Sequence, residues 1–142
     1  MRKIDIVYAT KTKHSKKLAE AIGRALSVTP RNVAENPAPE AAALLILVGG
    51  IYGGESLPEL MAFAGALDAR SVACAALVTS CASGTMPQKG LRGALEEKGI
   101  PVAGEIVVPG GLLLYRLGRP NRKDVEAAVA FATGLIKEGG TV

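Results

Sequence analysis

Six consecutive residues, Thr10-Lys11-Thr12-Lys13-His14-Ser15, hold three hydroxyls, two lysines and the single histidine of the chain. They follow an apolar run, Ile4–Tyr8, and lead into a segment of helical spacing, Ser15–Leu26. A helix N-terminus presents unpaired backbone N–H groups and about half a unit of positive charge. A hydroxyl-rich loop at that point is therefore a cradle for an anion, phosphate above all. Thr10, Thr12 and Ser15 would donate hydroxyl hydrogen bonds to phosphate oxygens, and Lys11 and Lys13 would add charge-assisted ones. His14 beside a phosphate would hold its proton more tightly than usual, so affinity would fall as pH rises. The plainer alternatives are a single hydroxyl capping the helix, solvated lysines, and a histidine facing solvent from the first turn.

Two further clusters follow later apolar runs. After Ala43–Val48 comes Gly49-Gly50-Ile51-Tyr52-Gly53-Gly54-Glu55, four glycines around one aromatic. Read as a loop, it lets backbone approach a flat ligand closely while Tyr52 offers a π-face. The alternative is a turn carrying an incidental aromatic. After Val72–Val78 comes Thr79-Ser80-Cys81-Ala82-Ser83-Gly84-Thr85-Met86-Pro87, small and polar, suited to offering backbone hydrogen bonds. Cys81 is read as a small loop residue, with a reactive thiol near a helix start as the alternative.

These clusters need elements to carry them. Apolar runs at Ile4–Tyr8, near Val33, at Ala43–Val48, Val72–Val78 and Ile106–Val108 alternate with helical spacing at Ser15–Leu26, Leu57–Leu67, Gln88–Lys98 and Arg122–Lys137. Several runs are apolar on both faces, as strands of a helix-covered parallel sheet must be. The pattern predicts an α/β fold, a doubly wound three-layer sandwich with five parallel strands and helices on both faces. The stretch Ser27–Asn36 carries Pro30 and little apolar periodicity, so its strand belongs at an edge. Leu18, Ile22 and Leu26 share one face of the first helix, and Gly99-Ile100-Pro101 stops the third. Asn121 is placed to cap the last helix, with Asp124 and Glu126 in its first turn. In an open parallel sheet ligands bind at the carboxyl ends of the strands, where all three clusters fall.

Composition narrows the function. With 142 residues, 49% hydrophobic and 21% charged, the chain suits one domain over 1–142 and not a disordered polymer. The longest apolar stretch, Ala41–Val48, is far short of the roughly 20 residues of a membrane span, and the N-terminus has no signal-peptide pattern. A soluble, cytoplasmic protein is expected. One histidine gives no metal-ligand cluster. Cys74 and Cys81, if the chain between them is extended, lie on the order of 20 Å apart and cannot pair. The net charge of +4 is spread along the chain and aromatics make up only 4%, which argues for a solvated basic surface and against nucleic-acid binding.

The segment from Tyr8 to Ser15 resembles the first loop of the flavodoxins, with Thr10, Thr12 and Ser15 at its three hydroxyl positions. Lys13 stands where that family has Gly. In the second cluster Tyr52 is similar to the aromatic that stacks on the flavin ring, and Gly53 to the Gly whose peptide bonds reduced flavin N5. The third cluster lacks the family's second aromatic and offers Met86 at most. The similarity runs on through Leu91–Glu105 and through Gly118-Arg119-Pro120-Asn121, where the family often has Gly-His-Pro-Asn. Rival folds need residues this chain lacks. A receiver domain wants an acidic pair after the first strand, and a dinucleotide site wants Gly-x-Gly-x-x-Gly where Ala9–Ser15 has no glycine.

The resemblance implies FMN as cofactor. It would be held by Thr10, Lys11, Thr12, Lys13, His14 and Ser15 at the phosphate and by Ile51, Tyr52, Gly53, Gly54, Ser80, Cys81, Ala82, Ser83 and Gly84 at the ring. It implies an electron carrier with no catalytic residue of its own, passing electrons between redox partner proteins, acidic ones given the basic charge. A monomer or weak homodimer is expected. Flavodoxins are usually acidic, so a basic chain should have a less negative reduction potential. Two alternatives stay open: a module of the same fold that does not hold FMN stably and acts through protein interaction, and a small FMN-dependent NAD(P)H or quinone reductase. The apolar segment Gly110–Arg116 is expected to be buried beneath a loop, with an exposed docking patch as the alternative.

Overall fold

A computed structural model describes residues 3–9, 14–52, 55–81, 87–109 and 122–139. Strands β1 (Ile4–Tyr8), β2 (Arg31–Asn32), β3 (Leu44–Tyr52), β4 (Glu55–Ser56), β5 (Ala75–Cys81) and β6 (Val102–Pro109) alternate with helices α1 (His14–Leu26), α2 (Pro58–Ala66), α3 (Lys89–Glu97) and α4 (Arg122–Gly139). Five strands run parallel in the order β2-β1-β3-β5-β6. The sixth, β4, folds back antiparallel on the end of β3, pairing Ile51 with Ser56 and Tyr52 with Glu55.

Alternation along the strands sorts side chains into two layers. Val7, Leu45, Leu47, Ala75 and Leu77 pack with Leu60 and Ala64 of α2 and Leu91 and Leu95 of α3. Ile6, Tyr8, Ile46, Val48, Ala76 and Val78 pack with Leu18 and Ile22 of α1 and Ala128 and Ala132 of α4. This is why Leu44–Val48 of β3 and Ala75–Val78 of β5 are apolar without interruption: both faces are covered. On α1, Lys16, Lys17, Glu20 and Arg24 face outward, opposite the buried Leu18 and Ile22. Helix α3 ends as Gly99 and Ile100 require. Gly99 has φ +82°, its N–H donates to Glu96 O at 3.0 Å, and that of Ile100 donates to Leu95 O at 3.0 Å. Only glycine takes that backbone turn at no cost, and the fully buried Ile100 then packs with Leu95 in one core.

Four boundaries differ from the expectation. Five parallel strands are present, but β4 makes six. The second strand is an edge, as Pro30 implied, yet it is Arg31–Asn32; Val33 lies in a short 3-10 turn capped by the Asn32 side chain, which accepts from Ala34 N–H at 2.9 Å. Strand β3 runs on through Gly49-Gly50-Ile51-Tyr52, and β5 covers Ala75–Cys81 in place of Val72–Val78. Strand β6 starts at Val102, four residues before the expected Ile106. At the ends of β3 and β5 strand pairing engages the backbone: Gly49 and Gly50 pair with Thr79 and Ser80, which pair in turn with Val107 and Val108, so glycines and small polar residues stay in the ladder.

Candidate functional site

The sheet order reverses at β1: the chain steps from β1 outward to β2, then returns across it to β3. Ligands in such sheets sit at the carboxyl ends flanking this switch point. The register lines those ends up, with Tyr8 opposite Val48, Gly50 opposite Ser80, and Cys81 opposite Pro109. The Ala9 N–H donates to Val48 O at 3.0 Å, so the chain leaves β1 still bonded to β3.

At this edge α1 begins with His14 and Ser15. Ser15 is fully buried, and its Oγ has no hydrogen-bond partner among the described residues. A buried hydroxyl without a partner costs about 1–3 kcal/mol, so its place at a helix N-terminus calls for an explanation. A ligand oxygen accepting from it there would supply one, and the adjacent helix dipole favours an anion. Thr10, Lys11, Thr12 and Lys13 lie outside the described residues, as does the side chain of His14.

The second cluster is not a free loop. Gly49 and Gly50 are strand residues, Ile51 is buried, and Tyr52 pairs with Glu55 across a hairpin. A Cβ on Gly49 would come 2.6 Å from Leu60 Cδ2 and 3.3 Å from Gln88 Oε1, so the glycine there admits side chains from α2 and α3. Gly53, Gly54 and the side chain of Tyr52 lie outside the described residues.

The third cluster also begins inside the sheet. Ser80 and Cys81 are buried strand residues of β5 and not loop positions: Ser80 pairs with Gly50 of β3 and Val108 of β6, and Cys81 with Pro109 of β6. Cys81 is therefore neither a loop residue nor an exposed thiol at a helix start, and Cys74 and Cys81 form no disulfide. Ala82, Ser83, Gly84 and Met86 lie outside the described residues, together with Gly110–Asn121.

Four side chains beneath these loops form a connected polar chain that the sequence reading did not assign to the site. Ser56 Oγ donates to Gln88 Oε1 at 2.7 Å, and Gln88 Nε2 donates to Thr79 Oγ1 at 3.0 Å. Thr79 Oγ1 in turn donates to Glu105 Oε2 at 2.6 Å, which also accepts from the Gln88 N–H at 2.8 Å. Arg92 Nη2 stands 3.9 Å from Glu105 Oε1. Gln88 and Thr79 are fully buried. One signal was present: Glu105 is a lone charge inside the apolar run Val102–Val108, which a strand start at Ile106 leaves out. Beside the network a cavity of about 560 Å³ is lined by Ile51, Glu55, Ser56, Met61, Gln88 and Lys89, among others. Among the described residues no group of three His, Cys, Asp or Glu is placed to hold a metal ion, and no helix is long and apolar enough to cross a membrane.

No protein-family model matches the sequence, and no curated protein does either. Solved structures match closely in shape. A short-chain flavodoxin associated with a non-canonical PDU bacterial microcompartment superposes with a TM-score of 0.73 at 18% identity, over 97% of this chain and 99% of its own. A flavodoxin from the domain Archaea gives 0.75 at 16% identity, over 97% and 98%. This chain has the flavodoxin fold. The NAD(P)H:quinone oxidoreductase of Methanothermobacter marburgensis shares the flavodoxin fold with it too, at a TM-score of 0.62 and 13% identity over 93% of this chain and 94% of that one. Flavodoxins and an NAD(P)H:quinone oxidoreductase share this fold, so function must be argued from the site.

Proposed function

We propose that this chain binds FMN and carries electrons between redox partner proteins. The observation that carries the reading is Ser15, a fully buried hydroxyl with no partner among the described residues, at the start of a helix beside the switch point of a flavodoxin-fold sheet. Ser15, a buried donor at a helix N-terminus, supports a site for the cofactor's phosphate. Ser15 with Thr10, Thr12, Lys11, Lys13 and His14 would hold the phosphate. Ile51, Tyr52, Gly53 and Gly54 on one side, and the segment from Ser80 through Cys81, Ala82, Ser83 and Gly84 on the other, would hold the ring. When bound, FMN supplies the electron-accepting and electron-donating group. The protein's own part is to bind and orient it, to exclude water from one side and to set the surrounding charge.

We read residues 1–142 as one unit working in the cytoplasm. The net charge of +4 suits an acidic redox partner, since complementary charge speeds encounter. The test is a titration of purified protein with FMN, following flavin fluorescence and the visible spectrum. Saturable quenching with a shifted, structured absorption band is the expected result; unquenched fluorescence throughout sinks the reading.

A second reading has one observation behind it. The cavity beside Ser56 and Gln88 has room for a small reactant next to the ring segments, and the reductase of the same fold shows that such chemistry occurs on this scaffold. FMN-loaded protein that oxidises NAD(P)H with an added quinone would favour a reductase over a carrier.

A further inference from the structure

Burying four polar side chains in one place stabilises little, because apolar groups of similar shape would pack as well without the desolvation cost. What a fully bonded polar chain adds is a single geometry. Here its attachments are specific. Ser56 ends the β3–β4 hairpin, and Gln88 immediately precedes α3, after Pro87. The Ser56–Gln88 bond therefore joins the chain two residues past the first segment assigned above to the flavin ring to the chain four residues past the second. Glu105 and Thr79 hold Gln88 from below by both its backbone and its side chain. Gly49 leaves the space the carboxamide occupies.

We infer that Gln88 is a positioning residue that sets the width of the ring slot by tying the β3–β4 hairpin to the start of α3, with Glu105 as its anchor in β6. The inference rests on the FMN reading for its ligand but on the hydrogen-bond chain for its geometry. The phosphate end, at α1, lies outside this chain of bonds. The tie thus acts on the ring and leaves phosphate recognition alone.

The test compares wild type with Ser56→Ala, which removes one bond at a half-buried position, and with Gln88→Met, which keeps the volume and removes the side-chain bonds. FMN and riboflavin are titrated into each, with inorganic phosphate as competitor. Gln88→Met should weaken FMN and riboflavin alike, by about tenfold, and shift the bound visible spectrum, while the phosphate competition constant stays the same. Ser56→Ala should do the same to a lesser extent. Amide hydrogen exchange on flavin-free protein should rise in both variants at residues 55–57 and 88–90 together. Riboflavin affinity within about twofold of wild type, or exchange that rises at one segment only, overturns the tie while leaving FMN binding standing. A wild type that binds neither flavin overturns the FMN reading and the ring role with it.

Discussion

At Ser15 a single hydroxyl carries two opposite costs. Without a ligand it is a buried group with nothing to bond, and replacing it by alanine removes that penalty. Ser15→Ala should therefore leave unfolding stability in flavin-free protein unchanged or raised, while FMN affinity falls by about tenfold. Urea melts and fluorescence titration on the same sample read the two effects. A loss of stability with affinity intact would make Ser15 a structural residue only. Gly49 is the reverse case, where the missing side chain is what the site needs. Gly49→Ala puts a Cβ 2.6 Å from Leu60 Cδ2 in a closed core, and overpacking of this kind costs about 1–3 kcal/mol. Its urea midpoint should fall accordingly, and FMN binding with it, because the added Cβ also meets Gln88 Oε1.

At the scale of elements, the turn after α3 gives a clean measurement. Gly99→Ala forces a left-handed backbone on a residue with a Cβ, at about 1–2 kcal/mol, with no neighbour within 4 Å to confuse the result. An unchanged thermal midpoint would show that the turn relaxes. This turn was readable from Gly99-Ile100-Pro101, and so were α1 and the covered strands, because their signals are local: a glycine after a helix, a four-residue apolar stride, an unbroken apolar run. The ends of β3 and β5 were not readable in the same way. Gly49, Gly50, Thr79, Ser80 and Cys81 are typical loop residues, and only pairing with neighbouring strands keeps them in the sheet. The Gln88–Glu105 chain was hidden for a related reason. Its members lie 23, 9 and 17 residues apart along the chain, from Ser56 to Thr79, Thr79 to Gln88 and Gln88 to Glu105, and only the register of β5 against β6 brings them together. The hydroxyl-rich start of α1, by contrast, showed in six consecutive letters.

The whole molecule is built on a partition. The core under α1 and α4 and the core under α2 and α3 share no side chains, because the sheet lies between them. Ile22→Val on one side and Ile100→Val on the other should each cost about 1 kcal/mol, and the double variant should show their sum within about 0.5 kcal/mol. A larger deviation in chemical denaturation would mean that strain crosses the sheet. Net charge also acts on the molecule as a whole. A basic chain should place the bound flavin at a less negative reduction potential than is usual for flavodoxins, and a potentiometric titration within their ordinary low range would contradict this. Association with an acidic partner should slow as salt is added, as stopped-flow traces at several ionic strengths would record. The partition has a further consequence for the proposed ligand. The phosphate end would be read by the layer that begins with Ser15, and the ring end by the layer that holds Gln88. Two halves of one small molecule would then report on two side-chain cores that lie on opposite faces of one sheet.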